Sequence, residues 1–358
     1  MMTLEGNQTL TVSGKEAKTA YMQRQGNTNG SGPTGRAAHA TVVVCAFASH
    51  RLEQTVECVQ SVLSQDPPPG QMIVVVDHNE ELQAELRARL PGGVEVVANE
   101  AARGLSSARN TAITHSRGDY VVFIDDDAVA HQEWLAHLLA TFDDPAVVGA
   151  GGHALPLWET PPPGWLPPEF LWVVGCSYAG LPESGAVRNP LGCNMAFRGR
   201  VFATVGKFNP AIGRLGSLPL GCEETEFCLR AARTMPGARI ALIAGAEIDH
   251  RVPAARATPI YLLRRCYFEG ISKALVRRLS DRQSLDTERA YLRHALPARL
   301  KTSARRAASG RGVRDAVGQF AAVIGAVGAA AVGYLVGVVA FRVRPPAAAP
   351  PAGDDVPA

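Results

Sequence analysis

Hydrophobic and polar residues alternate along the first 150 residues in a way that predicts strands and helices in turn. Four short apolar runs indicate strands, at Ala40–Phe47, Met72–Val76, Val94–Ala98 and Tyr120–Ile124. Stretches with helical spacing separate them, at residues 52–63, 80–90 and 107–116, and the alternation continues through 132–141 and 146–151. Short apolar strands separated by helices predict an α/β fold with a doubly wound, mostly parallel sheet.

Polar or aromatic residues follow these strands at the point where each one ends. Phe47, Asp77, Asn99 and Asp125 all fall at or just after the carboxyl end of a strand. A single aspartate in such a place is more often a turn residue or a helix cap. Four such ends on one rim favour a binding site, because ligands of doubly wound sheets bind outside the carboxyl ends of the strands.

The regular alternation stops between His153 and Pro190, where proline, glycine and tryptophan dominate. This composition predicts a long irregular segment over the site. Its aromatic residues either stack on a sugar or pack the segment onto the domain, and they are Trp158, Trp165, Phe170 and Trp172. Beyond it we predict a short strand near Asn194–Phe197, a helix from Arg200, a helix from Glu223 and a strand near Ile240–Ile243.

The C-terminal third is basic and then apolar. Residues 251–314 contain sixteen Lys and Arg against four Asp and Glu, although the net charge of the whole chain is only +3. Such a stretch is either a solvated helical surface or a face toward anionic lipid or a phosphorylated acceptor. It has few interleaved aromatic residues, so we expect no nucleic-acid partner.

An uncharged run follows at Ala316–Phe341, which is 26 residues and long enough to cross a bilayer. It is either a membrane helix, with Gly333 and Gly337 as a close-packing pair, or a soluble packing helix. If it spans, the upstream arginines place the catalytic portion at the cytoplasmic face of the membrane. Seven cysteines without a CxxC pair agree with a reducing compartment.

The predicted organisation has five parts. They are a disordered tail at 1–37, a catalytic domain at 38–255, a basic helical region at 256–314, a hydrophobic helix at 315–342 and a disordered tail at 343–358.

Two acidic clusters are candidates for chemistry. Asp125, Asp126 and Asp127 end an apolar strand, and Glu223, Glu224 and Glu226 share the first turn of a predicted helix. Carboxylates about 4 Å apart repel by ~1 kcal/mol even in water, so the triple aspartate needs a compensating partner. Mg²⁺ or Mn²⁺ is bound by one or two carboxylates and by substrate phosphates, so the triplet predicts a divalent metal site.

Six stretches together resemble glycosyltransferase family 2 over roughly residues 40–255. They are VVVCAFASHR, IVVVDHN, NEAARGLSSARNTAI, GDYVVFIDDD, GCNMAFRGRVFATVGKFNPAIG and GCEETEFCLRA. The resemblance implies an A-type nucleotide-sugar-binding fold, inversion at the anomeric carbon and a divalent metal held by an Asp-x-Asp motif. It also implies a UDP-sugar donor and a lipid-linked saccharide, glycolipid or polysaccharide acceptor.

The resemblance also implies roles for single residues. Donor-binding residues would be Ala46 and Phe47 at the base, Asp77 as an acceptor from the base, and Arg103, Gly104, Arg109 and Asn110 along the nucleotide and diphosphate, with Asp125 and Asp126 at the ribose or sugar. Asp127, Asp125 and His250 would hold the metal. The catalytic base would be Glu224 beside Glu223, although the family has Asp where this chain has Glu224.

Two other functions also fit parts of the sequence. IDDDAV matches the nucleophile motif of haloacid-dehalogenase-like phosphohydrolases, but there the motif belongs on the first strand and here three strands precede it. A membrane-anchored protein that binds nucleotide sugars without catalysis is the second alternative.

Overall fold

A computed structural model describes residues 33–214, 219–280, 285–310 and 312–343. Residues 1–32 and 344–358, which make up most of the two predicted tails, lie outside the described residues. The described part begins with a short helix at Pro33–Ala37 (α1), and Ala37 is buried in the core.

One sheet contains nine strands, in the order β3-β2-β1-β4-β8-β6-β9-β5, with β7 on β9. Their bounds are β1 Ala40–Ala46, β2 Gln71–Val76, β3 Val94–Ala98, β4 Tyr120–Asp125, β5 Ala128–Ala130, β6 Val147–Trp158, β7 Gly185–Val187, β8 Asn194–Arg198 and β9 Arg239–Val252. The first four strands pair in parallel. The sheet is mixed beyond β4, because β8 runs antiparallel to both β4 and β6.

Helices cover both faces of this sheet, which confirms the doubly wound α/β prediction. The helices of the catalytic part are α2 Leu52–Leu63, α3 Glu80–Arg89, α4 Leu105–His115, α5 Trp134–Ala140, α6 Gly199–Val205 and α7 Glu223–Thr234. One core lies under α2, α3 and α5, and a second lies under α4, α6 and α7. Each face of the sheet is therefore closed by apolar side chains, and polar chemistry is confined to the strand ends.

The segment after Gly151 is more regular than its composition predicts. β6 continues to Trp158 because it pairs in parallel with β9 along its whole length, which satisfies its backbone groups. Pro156 is tolerated in this stretch because β8 pairs only with Gly149–Gly151. Irregular structure is then restricted to the turns around a 3₁₀ helix at Pro168–Val174.

The C-terminal part is helical and packs on this segment. Its helices are α8 Pro259–Leu279, α9 Asp286–Ala290, α10 Leu296–Ala308 and α11 Val313–Val343, with a π-helical turn at Tyr291–Ala295. A third hydrophobic cluster joins Leu166, Phe170 and Val173 to apolar residues of α8, α10 and α11. Trp158, Trp165 and Trp172 are partly buried against the same cluster, so they attach the segment to the helices.

Glycines bring α8 and α11 into close contact. A Cβ on Gly333 would lie 1.9 Å from the carbonyl oxygen of Tyr267, and one on Gly270 would lie 2.1 Å from that of Ala330. Gly337 faces Ile271 and Ala274 in the same way. Within the described residues, α11 is the one helix whose length and composition suit a membrane span, over Val313–Phe341.

Candidate active site

The carboxyl ends of β1, β2 and β4 meet in one pocket. Ala46 is paired with Val76, and Cys45 with Asp125, so the residues that follow these strands are neighbours. The pocket lining includes Ala46, Phe47, Arg51, Asp77, Asp125, Asp126 and Arg214. Phe47 is 43% exposed, which leaves its ring accessible for stacking. The structure thus brings Phe47, Asp77 and Asp125 together in this pocket, and the fourth predicted strand end, Asn99, lies beside it against Asp77.

Asp77 organises the loop beside this pocket. Its Oδ2 accepts a 2.9 Å hydrogen bond from the backbone N–H of Gly104, and its Oδ1 accepts one of 2.7 Å from the amide of Asn99. Gly104 has φ +141°, a conformation that L side chains rarely adopt, so the glycine permits this approach. Arg103 is exposed and donates to the carbonyl of His78, which keeps it near the same rim.

A cluster suited to a metal lies at the end of β4. Ligand atoms of Asp125, Asp127 and His250 all lie within 4.8 Å of one another. The antiparallel pairing of β5 with β9 places His250 opposite Ala128, and its Nε2 is 3.4 Å from Asp127 Oδ1. Burial lowers the pKa of His250, which favours the neutral imidazole that binds metals. These residues fit a divalent cation.

Two arginines balance the charge of the triple aspartate. Arg51 Nη1 lies 2.6 Å from Asp126 Oδ1, and Arg51 Nη2 lies 3.0 Å from Asp127 Oδ2. Arg256 approaches the same Asp127 oxygen at 3.5 Å. Burial opposes the ionisation of Asp127, but the positive charges around it, among them Arg51 and Arg256, outweigh burial and lower its pKa. Burial and the neighbouring Asp127 raise the pKa of Asp126 to about 7, and its Oδ2 is buried with no hydrogen-bond partner among the described residues.

A buried arginine, Arg109, connects the glutamate cluster at the start of α7 with the aspartates at the end of β4. Arg109 Nη1 lies 2.6 Å from Glu223 Oε1, and Nη2 lies 3.7 Å from Asp125 Oδ1. Nη2 also donates a 2.8 Å hydrogen bond to the carbonyl of Gly192. Arg109 is 2% exposed and packs between the rings of Phe123 and Phe208. It therefore joins the two acidic clusters from inside the domain and does not face the pocket.

Glu224 differs from Glu223 in its partners. It accepts a 3.2 Å hydrogen bond from Thr225 Oγ1, and no ion pair to it occurs in the part of the chain that the structure describes. Burial and the adjacent Glu223 raise the pKa of Glu224 to about 7. Cys222, just before this helix, has φ +73°, a left-handed conformation that residues other than glycine rarely adopt.

Asn110 also lies away from the pocket. Its amide donates to the carbonyl of Phe208 and accepts from the N–H of the same residue, so it ties α4 to the loop after α6. Four residues that the sequence analysis gave no role lie at the site, namely Arg51, Gly192, Arg214 and Arg256. Arg51 stands inside the quoted stretch VVVCAFASHR, so its proximity to the first strand end was the available signal.

Comparison with known proteins identifies the family. The Glycosyl transferase family 2 model matches residues 41–205. The chain is 34% identical to a glucosyl-dolichyl phosphate glucuronosyltransferase of Haloferax volcanii over 257 residues, which are 71% of this chain and 82% of that protein. It is 25% identical to the succinoglycan biosynthesis protein ExoM of Rhizobium meliloti, over 65% of this chain and 73% of that one.

A solved structure supports the fold. The mannosyltransferase PcManGT of Pyrobaculum calidifontis, in complex with GDP-Man and Mn²⁺, aligns with a TM-score of 0.54 and 19% identity. The alignment covers 91% of this chain and 94% of that one.

Proposed function

The chain belongs to glycosyltransferase family 2, and we propose that it transfers a hexose or hexuronate from a UDP-sugar to a hydroxyl of a lipid-linked saccharide. One observation carries this proposal: the Asp125, Asp127 and His250 cluster is linked to Glu223 through Arg109. A donor-binding centre and an acidic helix therefore share one site. Glycolipid and polysaccharide acceptors belong to the same proposal.

The donor would lie along the strand ends. Ala46 and Phe47 would contact the base, and Asp77 would accept a hydrogen bond from it. Arg103 and Gly104 would line the nucleotide, and Asp125 and Asp126 the ribose or sugar. Asp125, Asp127 and His250 would hold Mg²⁺ or Mn²⁺, which offsets the charge that develops on the leaving diphosphate. Arg51, 3.0 Å from Asp127, adds a positive charge beside the same group.

The acceptor hydroxyl must lose a proton as it attacks the anomeric carbon, and Glu224 is the proposed base. A pKa of about 7 keeps a fraction of this carboxylate ionised at neutral pH and makes it a stronger base than an exposed glutamate. Glu223 is bonded to Arg109, so we assign it a positioning role. A single displacement on the face opposite the diphosphate would invert the anomeric centre.

The substrate class follows the relative that shares 34% identity. Its name combines a glucuronosyl donor with a glucosyl-dolichyl phosphate acceptor, so UDP-glucuronate and a glucosylated polyprenyl phosphate form the first pair to test. Arg214 lines the pocket and offers a cation near the donor. The proposed place of reaction is the cytoplasmic face of a membrane.

The test has two stages. Thermal-shift measurements with a panel of nucleotide sugars and Mn²⁺ identify the donor, and a transfer assay with glucosylated polyprenyl phosphate then follows product formation. We expect stabilisation by one UDP-sugar only with metal, and a product of inverted configuration. Donor binding without transfer or hydrolysis would instead support the non-catalytic binder, and phosphate release from simple phosphomonoesters would support the phosphohydrolase.

A further inference from the structure

We propose that α11 lies along the surface of a lipid leaflet, with its outward apolar side in the acyl region, and that it does not cross the bilayer. The proposal concerns how the chain meets lipid, and it holds whichever sugar the site transfers. It rests on the two sides of α11, which have different neighbours along the whole helix.

The inward side of α11 is covered by the rest of the protein from its first turn to Gly337. Near its start, Gln319 Nε2 donates a 2.9 Å hydrogen bond to the carbonyl of Gly164, and a Cβ on Gly318 would lie 2.7 Å from Trp165 Cβ. In its second half, Gly333 meets Tyr267 of α8 and Gly337 meets Ala274. No stretch of about 20 residues, the length a span needs, is free of these contacts.

α8 in turn is held directly on the catalytic part. Ser272 Oγ accepts a 3.1 Å hydrogen bond from the N–H of Gly221, and Glu269 accepts one of 3.3 Å from Cys222 Sγ. Glu269 and its partner Lys273 lie on α8 beside the stretch that packs on Ala330–Gly337. If α11 crossed the bilayer in this arrangement, these charges and the start of the catalytic helix α7 would enter the hydrocarbon.

That displacement is costly, because a charged side chain at the centre of a membrane helix strongly opposes insertion. An orientation parallel to the membrane removes the cost. It leaves α8 and the catalytic part on the aqueous side and exposes only the outward side of α11 to lipid.

The outward side of α11 is an apolar row, formed by Val317, Phe320, Ile324, Val332, Leu335 and Val339. Leu335 is 64% and Val339 is 62% exposed, and the row extends over about 33 Å at 1.5 Å per residue. Exposed apolar surface of this length marks an interaction site.

Charge at the two ends of the row favours lipid over a second copy of the chain. Arg314 is exposed beside the first turn, and Arg277 of α8 donates to the hydroxyl of Tyr334 near the other end. In a symmetric pair of copies, cations would face cations whether the helices ran parallel or antiparallel. Anionic headgroups are attracted to both ends.

Binding is tested first, by flotation of the full-length protein with vesicles of phosphatidylcholine and phosphatidylglycerol. The double variant Ile324→Asp/Leu335→Asp should reduce the bound fraction at least ~10-fold, because two charges would have to enter the acyl region. Ala84→Asp/Gly93→Asp, at two exposed positions on α3 and in the turn after it, adds the same two charges far from α11 and should bind as the parent does. Unchanged binding of the double variant overturns the proposal.

The second test measures how deeply α11 enters the bilayer. A cysteine is introduced in turn at Val317, Ile324, Leu335 and Val339 and labelled, and the signal of the labelled parent protein is subtracted. A helix parallel to the membrane gives similar depths at all four positions. A spanning helix gives a maximum near the middle and shallow values at the ends, which overturns the proposal. Cross-linking between copies through these cysteines, with no label at acyl depth, assigns the row to self-association and also overturns it.

Neither readout depends on sugar transfer. An inactive protein with four equal depths would contradict the proposed function alone, and an active enzyme with a spanning profile would contradict the membrane arrangement alone.

Discussion

Arg109 and Glu223 form an ion pair inside the catalytic domain, with Nη1 2.6 Å from Oε1 and both side chains nearly inaccessible. The pair separates the roles of two adjacent glutamates. Glu223 is neutralised by a fixed cation, whereas Glu224 has a raised pKa and no ion pair among the described residues. The Arg109 contact thus compensates the charge of Glu223, and burial together with that neighbour raises the pKa of Glu224.

Arg109→Met should destabilise the fold by about 3–5 kcal/mol, because it leaves the Glu223 carboxylate buried without a cation. Arg109→Met/Glu223→Gln removes both charges and should recover much of the loss. Urea unfolding measures both variants. Arg117→Met breaks the exposed pair with Glu95 and serves as a control that should cost less than about 1 kcal/mol. Equal losses in the single and double variants would contradict a coupled pair.

Glu224→Gln should reduce kcat by about 10²–10⁴ with little change in donor affinity, because it removes the base and leaves the strand ends intact. Since the pKa of Glu224 is about 7, the rate of the parent enzyme should rise with pH through that value and then level. Glu224→Asp keeps a carboxylate and should retain the rising limb at a lower rate. A Gln variant with the full pH profile would rule out Glu224 as the base.

Ionised Glu224 should lower the free energy of unfolding above about pH 7. The folded-state pKa of Glu224 is raised from 4.5 to about 7, so the folded chain binds this proton more tightly than the unfolded chain does. Stability is therefore lost as pH rises through the folded value. Glu224→Gln should increase the free energy of unfolding by about 1–3 kcal/mol at about pH 8 and by little at about pH 4. Urea titrations at both pH values check the sign.

Asp127→Asn should weaken Mn²⁺ binding at least ~100-fold, because it removes a carboxylate that lies near both Asp125 and His250. Titration calorimetry with the metal alone measures this without any turnover. Asp119→Asn, at a position with a 75% exposed side chain, is the matched control. Donor binding measured in parallel should fall with the metal affinity, and excess chelator should abolish transfer by the parent enzyme. Full transfer in chelator would show that the reaction needs no metal.

Gly192→Ala should impair use of the acceptor. A Cβ at this position would lie 3.5 Å from Arg109 Nη2, 3.6 Å from Glu223 Oε1 and 3.8 Å from Glu224 Oε2, so it fits the folded chain but occupies the space in front of the proposed base. We expect kcat/KM for the acceptor to fall at least ~10-fold with unchanged donor affinity. Gly93→Ala, where a Cβ meets nothing within 4 Å, should behave as the parent does. An unaffected kcat/KM would place the acceptor elsewhere.

The parts of this site that the sequence predicts are those fixed by regular periodicity. The strand ends at Phe47, Asp77 and Asp125 follow from apolar runs whose parallel register aligns their carboxyl ends. The contacts of Arg51 and Arg256 with Asp127 do not follow, because these long side chains extend from short 3₁₀ turns after β1 and β9 and their direction leaves no periodic signal. The sequence also does not predict the full length of β6. Its strand conformation depends on pairing with β9, which is distant in sequence, whereas the local Gly and Pro residues favour a loop.

The cluster that joins Leu166, Phe170 and Val173 to the C-terminal helices has a practical consequence. A chain shortened after residue 255 to obtain a soluble enzyme would lose the cover over these side chains and over Trp158, Trp165 and Trp172. The newly exposed aromatic surface would favour aggregation. The shortened enzyme should therefore be harder to purify than the full-length protein in mild detergent.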